Sequence, residues 1–575
     1  MQAFEPGATE QLPPVKTPWA KVIGILLRKQ IGAELFGMPG YRLTLKGRTP
    51  DGFLAAPHDG RPSQHLLGKA ILSGRFLLCN ARMSVQGSGD PWNRPSPTRA
   101  FGVELHRFSW LSSLLAHGDE GTRESVRLFI LWHKIFRNWT PFTWGEEVLP
   151  RRLINLSLFA RRMASLAAPD EVHLLAQSMA EQGRHLLRLS QQTPWAGQQS
   201  VALVLLGCVL SGRVGDGFRK KGLSRLPKVL KKIVLPDGSH ASRSPEQGLD
   251  LLYDLLLVED ALSQRGMAVP DYLDHYIDRL MRFVRTCSHP DGSLCAFQGS
   301  ESILEDQVVP ALVRTGQKAV AAIPNVLEHG RYHRMTGRSL TVYVDAGESK
   351  TGVMGYAACD HPMAFEVSGG RDKLIVQPGW SPSQSDQQAF RIIGAGNTLT
   401  LSDRAVLSPV SGRFGEMLNF GLEGPRYKLR SRRVEAEDSG SLLEMEHEGW
   451  RDAFGLKHER RLYVDAQRDE LRGEERLTPM ETKQKDLPVE SAFTVRFLLH
   501  PEVQASLARD RKSVLLRGPG GRGWWLRHDA RDVTLETGWV FERGAARKSV
   551  LIALRGTARL ETSTRVRWKL SPAEG

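Results

Sequence analysis

The chain has 575 residues, 41% hydrophobic and 25% charged, with 78 Lys and Arg against 63 Asp and Glu for a formal charge of +15. This is a globular composition long enough for several domains, which excludes a disordered or fibrous protein. Five cysteines with no pair at zinc-ribbon spacing exclude a disulfide framework and read as mostly buried thiols.

Residues 1–100 read as a lead-in with short strands. The start is acidic and broken by prolines, unlike the basic start of an export signal. The apolar run at 22–27 stops at Arg28 and Lys29, and the longest run, 201–210, has ten residues counting Gly207. Crossing a bilayer takes about 20. A soluble chain with no transmembrane segment is therefore expected, cytoplasmic as written, and periplasmic or of the cell envelope if the start is misassigned. Residues 41–45 alternate like a strand, and the Pro-rich stretch 90–97 marks a boundary.

Residues 101–330 change to helical periodicity. Leu128, Trp132, Ile135, Phe136 and Trp139 share one face, as do Leu273, Tyr276, Ile277, Leu280, Met281 and Val284 after a helix start at Pro270 and Asp271. The run 201–210 is apolar all round, the pattern of a helix buried on every side. Without a fixed-period repeat, these helices point to an incomplete (α/α) toroid rather than a solenoid.

In residues 331–575 the period becomes two. Strands are expected at 340–344, 373–376, 398–401, 493–497, 513–516, 533–535, 549–551 and 565–568, with the glycine-rich 518–523 as a hairpin loop. The predicted fold class is α+β multidomain, an N-terminal (α/α) toroid followed by a C-terminal antiparallel β-sandwich.

Several segments, in order along the chain, resemble the heparinase II/III family of polysaccharide lyases. They are residues 105–111, 150–155 and 235–245 in the helical part, and 365–379, 391–403 and 496–501 in the strand part. The resemblance implies β-elimination on a uronate polymer at a cleft between the two parts. Such chemistry needs a group that pairs with the uronate carboxylate and stabilises the enolate-like charge, and a Tyr or His that moves protons.

At the positions where the family carries its Asn-His dyad this chain has Gln198 and Gln199, following Trp195. The family Tyr position is Gln247. The first strand-domain His falls on Cys359, with Asp360 and His361 after it, and the second falls on Gly396, before Asn397. Four proton-handling positions are thus substituted. Either displaced groups act, or the protein binds glycans without cleaving them.

The displaced candidates are His240 as base, beside Arg243 as carboxylate partner, and His361. A loop cap for His240, and a polar turn before Pro362 for His361, are the alternatives. Gln198, Gln199, Gln247, Arg391, Asn397 and Trp195 are the candidate substrate-binding residues, and Trp380, Trp524 and Trp525 are further tryptophans that could stack on sugars. Cys359 reads as a core thiol. Basic clusters at 219–232 and 426–433 are either solvated faces or the walls of a polyanion groove. An acidic polysaccharide is the expected partner. No nucleic acid is expected, because no helix-turn-helix, finger or OB signature is present. No cofactor or metal is expected, because there is no phosphate loop, dinucleotide fingerprint or metal-ligand spacing.

Overall fold

The structure, a computed structural model, describes residues 19–85, 89–313, 323–384, 387–410, 421–436, 440–484 and 486–573. Helices fill its first half: α1 (Trp19–Gly37), α2 (His65–Leu72), α3 (Arg99–Arg107), α4 (Leu111–Leu115), α5 (Gly118–Phe136) and α6 (Leu149–Ala164). They continue as α7 (Pro169–Leu186), α8 (Ala196–Val209), α9 (Gly212–Ile233), α10 (Pro245–Gln264), α11 (Asp271–Thr286) and α12 (Glu305–Val313). A hairpin, β1 (Arg75–Leu78) with β2 (Ala81–Ser84), lies between α2 and α3. Local chemistry sets the starts. The Thr98 hydroxyl accepts from the Phe101 N–H at 3.1 Å to cap α3, and Pro150, Pro169 and Pro245 stand in the first turns of α6, α7 and α10.

The run at 201–210 forms α8, with all but one of its residues buried, as its all-round apolarity predicts. Glycines let α9 lie against it. A Cβ on Gly222 would come within 2.7 Å of the Val204 backbone nitrogen, and one on Gly207 within 2.3 Å of that of Arg219.

Residues 41–45 are not a strand. They form a 3₁₀ turn after Gly40, whose φ of +86° reverses the chain. Two adjacent residues dock this turn on α7, while Leu43 is exposed: the Tyr41 hydroxyl meets His185 Nδ1 at 2.7 Å, and Arg42 pairs with Glu181 at 3.0 Å.

The second half is sheet-rich, and among the described residues its named strands pair only antiparallel, with a single parallel bridge from Ser302 to Glu542. One sheet runs β3 (Val326–Leu327), β4 (Tyr332–Thr336), β5 (Leu340–Asp345), β6 (Phe365–Gly369), β7 (Asp372–Ile375). A second has the order β19 (Asp532–Glu542), β20 (Ala545–Arg559), β15 (Glu490–Leu498), β8 (Leu399–Leu401). A short pair, β9 (Ser408–Pro409) with β10 (Leu422–Glu423), follows β8 in the chain. The third large sheet joins β11 (Leu429–Ala436), β12 (Gly440–His447), β13 (Leu456–Asp465) and β14 (Glu470–Pro479) to β21 (Thr564–Pro572), β18 (Gly523–His528), β17 (Ser513–Arg517) and β16 (Gln504–Leu507). The glycine-rich 518–523 connects β17 to β18 as a hairpin. In β13, Leu456, His458, Arg460, Leu462 and Val464 are buried while their neighbours face outward. Phe365, Phe497 and Trp568 pack together between the sheets. No helix among the described residues is long and apolar enough to cross a membrane.

Candidate functional site

Where the helical half meets the sheet-rich half there is a cleft of about 520 Å³. The start of α8 supplies Gln198, with Trp195 capping that helix, and the start of α10 supplies Glu246 and Gln247. The Ser244 hydroxyl accepts from the Gln247 N–H at 3.3 Å, so an N-cap sets the first turn of α10 and aims its side chains. The sheet-rich half contributes Tyr356, Ser381, Ser383 and Arg543, and Tyr356 lies 5.4 Å from Trp195, ring to ring.

Of the residues expected from sequence, Trp195, Gln198, Gln247 and His240 line this cleft. Gln198 Oε1, an acceptor, and Gln247 Nε2, a donor, are both buried with no hydrogen-bond partner. His240 lies on the loop bridged from Val234, with Nδ1 2.7 Å from the Ser242 hydroxyl. Burial pushes its pKa down to about 4, so the imidazole is neutral at physiological pH.

The others are placed elsewhere. Arg243 is wholly buried, ion-paired with Asp345, and donates to the Gly330 carbonyl at 2.9 Å and the Glu348 carbonyl at 2.8 Å. Its guanidinium fastens the loop before α10 to β5 and is unavailable to a substrate carboxylate. That corrects the expected role. His361 is buried against Gly396, and its pKa is lowered to about 4 by burial. Gln199 turns away from the cleft and donates to the Ser190 carbonyl at 3.1 Å. Arg391 donates to the Ala358 carbonyl at 2.9 Å and lies over the Trp380 ring. Asn397 ties strands together, donating to the Phe365 and Val376 carbonyls at 3.1 and 2.7 Å and accepting from the Leu498 N–H at 2.6 Å. These five residues do not line the cleft, which corrects their assignment to catalysis and substrate contact. Trp380 and Trp524 are core residues too, 2% and 0% exposed. Cys359 is a buried thiol, its pKa pushed up to about 11 by burial.

The cleft is not the cation-lined trough its overall charge suggested. Its arginines are already paired: Arg61 and Arg151 with Asp254, at 2.9 and 2.8 Å, Arg107 with Glu104 at 2.8 Å, and Arg99 with Glu147. Arg543 pairs with Asp306 at 2.8 Å. Further carboxyls, Glu246, Asp250 and Glu301, complete an acidic lining. Burial, with Glu301 and Asp250 nearby, raises the Glu246 pKa well above the usual carboxyl range. Glu246 Oε2 accepts from the Glu301 N–H at 2.8 Å, while the Glu301 carboxylate accepts from Ser381, Ser383 and the Gly544 N–H. A protonated Glu246 can donate a hydrogen bond into the cleft, and Glu301 is held by its donors. Sequence reasoning missed Glu246 and Glu301; 54 residues separate them, and nothing along the chain ties one to the other.

The row of arginines at 426–433 divides. Arg430 and Arg432 point outward from β11 with their side chains 68% and 77% exposed, near Glu446 and Glu444 respectively. Arg433, on the other face, donates to the Asn325 and Arg334 carbonyls.

A helical half joined to antiparallel sheets, with a cleft at the junction, is the architecture of a heparinase III-like protein. The structure of heparinase III superposes with a TM-score of 0.72 at 14% identity, covering 98% of this chain and 93% of that one. Heparan sulfate lyase HepC from Pedobacter heparinus superposes with a TM-score of 0.54 at 15% identity, over 97% and 91%. Residues 321–569 match the family described as heparinase II/III-like, C-terminal. FtsZ-localized protein C of Caulobacter vibrioides (strain NA1000 / CB15N) is 40% identical over 573 residues, covering 97% of this chain and 98% of that protein. The chain belongs to the heparinase II/III-like family.

Proposed function

We propose that this protein is a catalytically degenerate member of its family that binds glycan in the junction cleft without cleaving it, and that it acts at the site of cell division. The observation that carries the first part is the chemistry of the cleft. The amide side chains of Gln198 and Gln247 line it beside Trp195 and Tyr356, a set suited to sugar hydroxyls and sugar faces. The cleft supplies the groups of β-elimination on an acidic polysaccharide poorly. His240 lines it, but burial lowers its basicity, its pKa down to about 4, Arg243 is engaged with Asp345, and Gln247, Cys359 and Gly396 stand at positions where the resemblance to the family implies proton-handling side chains. The acidic lining suits an uncharged or amino-bearing glycan better than a polyuronate. The second part rests on the relative named for localisation with FtsZ, which matches this chain from end to end.

Two measurements test the reading. Incubation with a panel of uronate polymers should give no rise in ultraviolet absorbance from a new C4–C5 double bond. A rise that His240→Ala abolishes would establish the lyase instead. A fluorescent fusion expressed in the producing cell should gather where FtsZ gathers, and a uniform distribution would sink the division role. Trp195→Ala should weaken binding to an uncharged or amino-sugar glycan by about tenfold, the loss of one stacked ring, while leaving the localisation intact.

A further inference from the structure

Away from the cleft, three buried side chains from distant parts of the sequence converge. His289 lies in the turn after α11, Cys295 on the returning arm of that turn, and Glu366 on β6. The ligand atoms of all three lie within 4.8 Å of one another. We propose that His289, Cys295 and Glu366 form a zinc site that fastens the end of the helical half to the first sheet.

Each ligand is already oriented by a neighbour. His289 Nδ1 is 2.8 Å from the Ser368 hydroxyl, which leaves Nε2 facing the centre of the group, 2.8 Å from Glu366 Oε2. Glu366 Oε1 is anchored by the Gln377 N–H at 2.8 Å and the Ala296 N–H at 3.2 Å, so one carboxylate oxygen is fixed and the other is presented. Outer-shell hydrogen bonds of this kind hold metal ligands in place in proteins. Cys295 is fixed through its backbone, its N–H donating to the Cys287 carbonyl at 2.8 Å. Imidazole nitrogen, thiolate and carboxylate are the set that zinc accepts, with water as the fourth ligand.

Charge favours a divalent ion. With a neutral imidazole, the thiolate and the carboxylate supply two negative charges against the two positive charges of the ion, so the buried group becomes neutral. The flanking charges balance each other: Lys373 lies 4.0 Å from Asp291. Binding forms the Zn–S bond, breaks the Cys295 S–H bond and releases that proton to solvent. Chain order hides the site, because Glu366 follows Cys295 only after 70 intervening residues that include α12 and three strands, β3, β4 and β5.

The test uses the full chain. After incubation with zinc and gel filtration, elemental analysis should find about one zinc per chain. Chelation should lower the melting temperature by several degrees, because a metal bound only by the native state stabilises it. Loading with cobalt(II) should give a thiolate-to-cobalt charge-transfer band that Cys295→Ser, of nearly the same size, loses. Wild-type protein that retains no zinc, with a melting temperature indifferent to chelator, would overturn the proposal, and this result does not depend on any variant folding. Zinc retained with the cobalt band unchanged in Cys295→Ser would overturn it equally, since the ion would then be held elsewhere.

Discussion

Arg243 and Asp345 form an ion pair whose side chains are 1% and 2% exposed, joining the loop before α10 to the end of β5. Asp345 also accepts from the Gln298 amide at 2.8 Å, and the Arg243 carbonyl accepts from the Tyr332 hydroxyl at 2.5 Å. The pair therefore sits inside a satisfied polar network at the seam between the two halves, where it fixes their relative position. It also holds the backbone of Arg243 in the left-handed region, at φ +68°.

Removing one member leaves the other charge buried and unpaired, which costs about 3–5 kcal/mol. Arg243→Ala should thus lower the urea midpoint strongly, whereas the double replacement Arg243→Met with Asp345→Leu should recover part of the loss. An Arg243→Ala protein unfolding at the wild-type midpoint would show that the pair does not hold the seam.

Acid should unfold this protein early. Burial depresses the pKa of His106, His185 and His500 to about 3, and of His133, His240, His333 and His361 to about 4. In the unfolded chain a histidine titrates near 6.5. Between those values the unfolded state binds protons that the native state refuses. Stability is full above about pH 6.5 and falls as pH drops, by up to about 1.4 kcal/mol per pH unit for each histidine. Asp360, raised to about 6 by burial, works in the opposite sense. Its contribution is present below the unfolded pKa of about 3.9 and is lost as pH rises through about 6; Glu246, raised by burial, acts in the same sense, so two groups stand against seven histidines. Urea midpoints measured from neutral pH downward should fall steeply through this window. A flat profile would mean that the histidines titrate freely in the native state.

Glu246→Gln should stabilise the protein. The Glu246 carboxyl is held above its ordinary pKa by burial and by Glu301, so its ionisation opposes the fold. That opposition is absent below the unfolded pKa and grows as pH rises. A neutral amide keeps an oxygen for the Glu301 N–H and removes the repulsion. The gain should be roughly 0.5–2 kcal/mol at neutral pH and vanish near pH 4. Equal effects at both pH values would assign the change to packing rather than charge.

The periodicity of the sequence located the elements but not their partners. The stripe from Leu273 to Val284 lies on α11, and the alternation at 493–497 falls within β15, because a buried face imposes its period on the chain locally. Arg243 and Asp345 are 102 positions apart, and a charged residue after a turn reads the same whether it meets a ligand or a buried aspartate. Residues 41–45 misled for a related reason: their period-two pattern matches a short turn docked on α7 as well as a strand. Trp380 and Trp524 could not be told from surface stacking platforms, since aromatic residues serve both core and site. Four of the nine proposed site residues do line the cleft: Trp195 and Gln198 around the start of α8, and His240 and Gln247 around the start of α10. Of the others, Gln199 is on a different side of α8, Arg391 is in a 3₁₀ turn, and Arg243, His361 and Asn397 are in loops, where side-chain direction depends on partners distant in sequence.

Restoring the family histidines should not restore cleavage. A Cβ on Gly396 would lie 2.7 Å from His361 Cγ, so the space that a second histidine would occupy is filled by the ring of His361. Gly396→His should therefore overpack the core and cost about 1–3 kcal/mol. Adding His361→Ala should relieve most of that, because the ring that causes the clash is gone. Neither this pair nor its combination with Cys359→His should produce an elimination signal, because Gln247 still stands where the family places its tyrosine and cannot move a proton. His361 thus takes the room that Gly396 leaves. Ultraviolet absorbance from Cys359→His with Gly396→His alone would contradict the expected lack of cleavage, showing that the catalytic machinery is two side chains from complete and that the acidic cleft still accepts a uronate chain.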